Sequence, residues 1–177
     1  MHDIAKKAAN IRLLITDVDG VLTSGELLYS KDHIELMPFH VNDGYGLKLL
    51  MASGIDVAVI TTGTSPILQK RFADLNIKHL YMGQNVKLNA LNDLLDKLNL
   101  TEQQTAMIGD DLPDLPLLER CAIGFTVANA NPTVLAKADW ISQKPGGAGA
   151  VREICDFILN AQQKLESAYV KLQNHDV

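Results

Sequence analysis

The sequence predicts an α/β fold: a doubly wound three-layer sandwich with a mostly parallel sheet and a small β-hairpin insert. Three observations predict it. Strand-like and helix-like segments alternate along almost the whole chain, as they do in sheets built from strand–helix–strand units. The first strand-like run, Leu13-Leu14-Ile15, is continuously apolar, the pattern of a strand covered on both faces. That run stops at Asp17, Asp19 and Gly20. Unpaired carboxylates are too costly inside a core, whereas the carboxyl ends of parallel strands are where such sheets bind ligands.

The elements follow in order. Residues 1–10 read as a polar lead-in with a helical turn, and Ile11–Thr16 as the first strand. Glu26–Tyr29 and Ile34–Val41 are strand-like around a polar Ser30–His33 turn, so 24–41 are expected to project as a β-hairpin. Asp43 and Gly44 open a helix that Gly54 ends. Asp56–Thr61 is the second core strand, and Ser65 with Pro66 starts a helix reaching about Leu75. A short strand, His79–Tyr81, precedes a helix over Asn85–Leu98, whose leucines recur at helical spacing. Thr105–Gly109 is a strand that stops at Asp110-Asp111, with Pro113 just inside the next helix. Ala122–Thr126, Pro132–Ala138 and Trp140-Ile141 read as strand, short helix and edge strand. Lys144–Gly149 is a loop, and Ala150–Leu159 is the last apolar helix. The tail, 162–177, is helix-prone but polar, and is expected to fray or to pack on a partner.

Composition bounds the function. The 177 residues fit one domain, 1–177, with a sizeable core. A net charge of -5 argues against a nucleic-acid binder. No apolar run approaches the roughly 18 residues that span a bilayer, and MHDIAKKAANIR lacks the apolar stretch of a secretion signal. Cys121 and Cys155 are isolated in apolar contexts and read as reduced core residues. The histidines show no zinc-like spacing with cysteine. A cytoplasmic protein without a membrane partner is the expectation.

Three core strands end in polar clusters: Asp17/Asp19, Thr61 and Asp110/Asp111. Lys87 opens a helix after a fourth strand. Taken singly, each has an ordinary explanation. An acidic pair caps a helix or solvates a turn, a threonine suits a strand end, and a lysine is a solvated side chain. Taken together they converge on one sheet edge, where carboxylates repel one another unless a cation is present. Oxygen donors without histidine or cysteine favour Mg²⁺ over zinc. A lysine and a threonine beside a metal suit a phosphate. This inventory describes phosphoryl transfer to an aspartate: one carboxylate attacks, a second handles protons, and the cations and donors neutralise the transferring group.

DVDGVLT (17–23) resembles the first motif of the haloacid dehalogenase superfamily, D-x-D-G-x-[LT]. Thr61 matches its second motif, Lys87 its third, and Gly109-Asp110-Asp111-x-x-Asp114 its fourth. The resemblance implies Asp17 as nucleophile and Asp19 as general acid/base. It implies Mg²⁺ held by Asp17, the Asp19 carbonyl and Asp110, with support from Asp111 and Asp114, while Thr61 and Lys87 hold the phosphoryl oxygens. The short insert after the first motif is similar to that of the capless subclass, in which a neighbouring subunit closes the site. Within it, FHVNDGYGLKLL, HLYMGQNVKLNAL, MIGDDLPDLPLL and GGAGAVREICDFIL resemble 3-deoxy-D-manno-octulosonate 8-phosphate phosphatases. Those are tetramers that make the sugar acid of the lipopolysaccharide inner core. The match puts His40, Val41, Asn42, Asp43, Gly44, Lys48 and Arg71, beside Asp19 and Lys87, at substrate-contacting positions.

The chain departs from that pattern at three cationic positions, where it has Asn42, Gly63 and Ala148. A charged contact of this kind is worth roughly 1.5–3 kcal/mol, so a different sugar-acid phosphate, such as a nonulosonate 9-phosphate, is a second expectation. A catalytically degenerate oligomer is a third, opposed by the intact Asp17, Asp19, Thr61, Lys87 and Asp110. Response-regulator receiver domains share the inventory, but carry the acidic pair and the acceptor aspartate on different strands, without D-x-D.

Overall fold

A computed structural model of the chain describes residues 2–28, 31 and 35–174. It contains six strands: β1 (Leu13–Thr16), β2 (Asp56–Ile60), β3 (His79–Tyr81), β4 (Thr105–Ile108), β5 (Ile123–Thr126) and β6 (Trp140–Ile141). Eight helices surround them: α1 (His2–Ala8), α2 (Val41–Ala52), α3 (Pro66–Asp74), α4 (Lys87–Leu98), α5 (Leu115–Arg120), α6 (Pro132–Lys137), α7 (Ala150–Ala161) and α8 (Leu165–Asn174).

The strands form one sheet in the order β3-β2-β1-β4-β5-β6, and every pairing is parallel. From β1 the chain winds outward through β2 to β3. It then crosses back to β4 on the other side of β1 and winds outward again. The reversal opens a crevice at the carboxyl ends of β1 and β4, where sheets of this topology bind ligands. Thr16 pairs with Val59 on one side and Ile108 on the other, which aligns the residues that follow all three strands.

Alternation along the strands sorts the core into two layers. Leu14, Val57, Val59, Ala106, Ile108 and Phe125 face the layer covered by α2, α3, α7 and α8. Leu13, Ile15, Ala58, Ile60 and Met107 face α4, α5 and α6. Helix α7 buries Val151, Ile154, Cys155, Ile158 and Leu159, one stripe at helical spacing. Each fully buried aliphatic side chain contributes about 1.5–3 kcal/mol. Phe125 packs edge-on against Trp140 and Phe157, with ring centroids 5.7 and 6.0 Å away.

The structure adjusts several expectations. The first strand begins at Leu13, because Ile11 still closes the turn after α1 by donating its N–H to the Ala8 carbonyl. The lead-in is a full helix, α1. Helix α4 begins at Lys87, two residues late. Of the hairpin expected over 24–41, the described residues 24–28, 31 and 35–40 contain no strand; Tyr29, Ser30 and residues 32–34 lie outside the described residues. Leu27 and Leu36 are 73% and 61% exposed, so neither is buried against the described residues. Val41 opens α2. The polar tail is helical too: α8 buries Ala168 and packs Leu165 and Leu172 against the α2/α7 layer.

Phe125→Ala should cost about 3–5 kcal/mol of stability, because it empties a ring-lined volume in the centre of the sheet. Urea unfolding followed by Trp140 fluorescence will measure it; a loss below 1 kcal/mol would contradict this packing.

Candidate active site

The residues after β1 build the floor of the crevice. Asp17 extends the ladder by donating its N–H to the Ile108 carbonyl at 3.0 Å. The chain then wraps around Val18, whose carbonyl accepts from the N–H groups of Val21, Leu22 and Thr23. Val18 is fully buried, so the alternation leaves Asp17 and Asp19 on the crevice side. Gly20 takes φ +82°, and a Cβ there would overlap the Asp110 carboxylate. Only glycine lets the loops after β1 and β4 approach this closely.

Lys87 stands between them. Its Nζ lies 2.7 Å from Asp114 Oδ1, to which it donates a hydrogen bond, and 2.9 Å from Asp17 Oδ1 in an ion pair. The lysine is only 4% exposed. Burial alone would lower its pKa, but Asp114 and Asp17 outweigh that and raise it, so the ammonium stays charged. The second oxygen of Asp114 accepts from the N–H groups of Asp110 and Asp111, at 3.0 and 3.4 Å. Asp111 in turn accepts from Asn131 Nδ2.

Negative charge is left over. Asp17, Asp110 and Asp114 each bring one carboxylate oxygen within 4.8 Å of the others. Burial, and then Asp114, push the Asp17 carboxyl up to about 6, with Lys87 pulling it partly back. Burial, then Asp114, Asp17 and Asp111, push Asp110 up to about 7. Among the described residues the buried Oδ1 of Asp110 has no hydrogen-bond partner, and that of Asp17 meets Lys87 without hydrogen-bond geometry. The unpartnered Asp110 oxygen, beside an Asp17 oxygen held only by the Lys87 ion pair, fits a divalent cation such as Mg²⁺. Asp114, engaged by Lys87 and two N–H groups, fits the expected supporting place. Thr61 is buried at the end of β2. Its hydroxyl oxygen accepts from Gly63 N at 3.0 Å, which leaves the hydroxyl proton for a ligand.

Asp19 projects into an adjoining cavity of about 600 Å³. Burial raises its carboxyl, Lys87 lowers it, and Glu35 raises it again. A larger groove, about 870 Å³, contains none of these carboxylates. It runs along the amino ends of β2 and β3, so the smaller cavity is the one that meets the chemistry.

The expected substrate residues separate into groups. Asp19 and Lys87 are at the cluster. His40, Val41, Asn42, Asp43 and Gly44 gather at the start of α2, where His40 Nδ1 caps the helix by accepting from Asn42 N at 3.2 Å. Arg71 lies against Gly44 and over the Phe39 ring, 5.2 Å from its centroid. Asp43 is buried and accepts from Gly149 N and Arg152 N at 3.2 and 2.8 Å, so it ties α2 to the start of α7. Lys48 is seven residues into α2, about 10 Å down its axis, and lines the groove at the opposite end of the sheet. Of the three positions without a cation, Gly63 adjoins Thr61 and Asp19, while Asn42 and Ala148 are exposed. Glu35 escaped sequence reasoning: Ser65 Oγ donates to it at 2.8 Å across thirty residues, and no local pattern marks that contact.

Residues 75–154 match the haloacid dehalogenase-like hydrolase family. The chain is 46% identical over 166 residues to the 3-deoxy-D-manno-octulosonate 8-phosphate phosphatase KdsC of Escherichia coli (strain K12), covering 94% of this chain and 88% of that protein. It is 48% identical to KdsC of Yersinia pestis, covering 94% and 89%. The structure of the phosphatase from Moraxella catarrhalis, in complex with magnesium, phosphate and KDO, is similar with a TM-score of 0.93 at 40% identity. That match covers 97% of this chain and 99% of that one.

The raised carboxyls set a pH dependence. With folded values of about 6 and 7 for Asp17 and Asp110, against roughly 3.9 when unfolded, the folded chain binds more protons in between. Its stability therefore rises as pH falls through that window. Metal-free protein should melt higher at about pH 5.5 than at about pH 8, by roughly 2–4 °C per kcal/mol of linkage. Mg²⁺ should raise the melting temperature at the higher pH and flatten the trend. Calorimetry will test this; a metal-free profile that falls on acidification would contradict the charge balance.

Proposed function

The chain belongs to the 3-deoxy-D-manno-octulosonate 8-phosphate phosphatase KdsC family of haloacid dehalogenase-like hydrolases, and from that membership we propose that it hydrolyses 3-deoxy-D-manno-octulosonate 8-phosphate to the free sugar acid and phosphate. The step belongs to lipopolysaccharide biosynthesis. The observation that supports this reading best is the buried Lys87 between Asp17 and Asp114, beside the orphaned oxygen of Asp110, at the topological switch point.

In the proposed mechanism, Asp17 attacks phosphorus as the carboxylate and forms an aspartyl phosphate. Asp19 protonates the departing sugar oxygen, then takes a proton from the water that hydrolyses the acyl phosphate. Lys87 and the Thr61 hydroxyl hold the phosphoryl oxygens as charge shifts among them. Bound by Asp17, Asp110 and the Asp19 carbonyl, with Asp111 and Asp114 behind, Mg²⁺ supplies charge that keeps Asp17 ionised near neutrality and polarises the phosphoryl group. Lys87 therefore serves twice, holding the nucleophile before substrate arrives and the phosphoryl group afterwards.

The substrate end is contributed by His40, Val41, Asn42, Gly44 and Arg71, with Asp43 bracing the start of α2 against α7. A neighbouring subunit of a homotetramer closes the site: Leu27, Leu36 and Val41 are 73%, 61% and 80% exposed and call for cover. A nonulosonate 9-phosphate is the second reading, favoured by the missing cations at Asn42, Gly63 and Ala148. The enzyme works in the cytoplasm, a reading supported by its two buried free thiols.

With Mg²⁺, purified protein should release phosphate from the octulosonate 8-phosphate faster than from other esters in a panel of phosphosugars and sugar-acid phosphates. Asp17→Asn should lower kcat by about a thousandfold or more. Turnover surviving in that variant would contradict the nucleophile, and a nine-carbon 9-phosphate as best substrate would install the second reading. A monomer by light scattering would remove the neighbour-closed site.

A further inference from the structure

The cavity beside Asp19 has an unusual charge for a site that takes an anion. It is lined by Asp19, Glu26 and Glu35 together with Leu36, Gly63 and Thr64. Among its described lining residues there is no lysine, arginine or histidine. Glu35 is held in place: its Oε2 accepts from the Ser65 hydroxyl at 2.8 Å. That same hydroxyl oxygen caps α3 by accepting from Ile67 N at 3.2 Å. The carboxylate is therefore fastened to the end of a helix. Glu26 is tethered similarly, accepting from Ser24 Oγ at 3.3 Å. The cavity reaches the reacting centre, since a Cβ on Gly63 would come 3.5 Å from Asp19 Oδ2.

This geometry constrains the substrate, given the reading above that Asp19 faces the leaving oxygen. The carbons attached to that oxygen must pass through the cavity. Hydroxyl groups on them can donate to fixed carboxylates. A carboxylate on them would meet like charge, with no lysine, arginine or histidine among the described lining residues to offset it. We propose that Glu35 is a specificity-determining residue: it accepts hydrogen bonds from the hydroxyls next to the phosphate ester and rejects substrates that carry an anion close to that ester. A long sugar acid, with phosphate at one end and carboxylate at the other, passes this filter. A short phosphorylated acid fails it.

The test uses a matched pair of probes. Glycerol 3-phosphate and 3-phosphoglycerate have the same length and differ by one hydroxymethyl against one carboxylate. The Mg²⁺-loaded enzyme should favour glycerol 3-phosphate in kcat/KM by about tenfold or more. Glu35→Gln keeps an acceptor oxygen and removes the charge, so it should cut that preference several-fold with little change in KM for glycerol 3-phosphate. Glu35→Ala removes the acceptor as well and should also raise that KM. Calorimetric Kd values for both esters on Asp17→Asn, with and without Glu35→Gln, give the same ratio where turnover is slow. An equal ratio with Glu35 and with Gln, or failure of both esters to bind, overturns the proposal. Hydrolysis that survives in Asp17→Asn overturns the catalytic reading instead, and leaves the ratio as a separate result.

Discussion

Lys87 faces more negative charge than one ammonium can neutralise. Burial makes its partners essential: a lone charge there would be far too costly, whereas one flanked by Asp17 and Asp114 at under 3 Å is stable. The carboxylates gain less. Three converge on one cation, so Asp17 and Asp110 hold their protons to unusually high pH, and two oxygens lack hydrogen-bond partners among the described residues. That deficit of positive charge is what makes the crevice a place for a divalent cation and a phosphate. The fold serves it directly. Register aligns the ends of β1, β2 and β4, the crossover brings α4 back with Lys87 at its first turn, and Gly20 lets two acidic loops touch.

The two halves of the site are made by different means. Groups assigned to the chemistry stand at strand ends, where ladder hydrogen bonds and two apolar layers fix them. Groups assigned to the substrate stand on the segment just before α2 (Glu35 and His40), on the start of α2 and, with Arg71, on α3. Loops on a rigid scaffold can diverge without disturbing the centre. Of the positions without a cation, Asn42 falls in this second set, Ala148 lies in the loop before α7 and Gly63 follows β2 beside Thr61, while Asp17, Asp19, Thr61, Lys87 and Asp110 are all present. Selectivity is accordingly read from side chains such as Glu35, whose position depends on Ser65 and the end of α3.

This division also explains what was legible in the sequence. The buried strands and the carboxylates after them announce themselves locally, because an apolar run and an abrupt acidic stop carry one physical meaning. So does the Ser65-Pro66 helix start, which the structure reproduces as a cap and a first-turn proline. Long-range contacts are silent. Asp43 looks like a ligand beside Gly44, yet its carboxylate caps α7 more than a hundred residues away. Lys48 shares a helix with Asn42 and is carried by the helical rise to the opposite end of the sheet. The tail is polar in composition, although Leu165, Ala168 and Leu172 recur at helical spacing; so narrow a stripe becomes meaningful only once α2 and α7 offer a surface for it.

In the proposed mechanism Asp17 carries the phosphoryl group. Protein turning over substrate with Mg²⁺ can be quenched in acid, reduced with borohydride and digested, and the resulting peptides sequenced by mass spectrometry. Reduction converts an aspartyl phosphate to homoserine. Homoserine is expected at position 17 and at no other aspartate. Homoserine at position 19, 110, 111 or 114, or none at all under turnover, would contradict it.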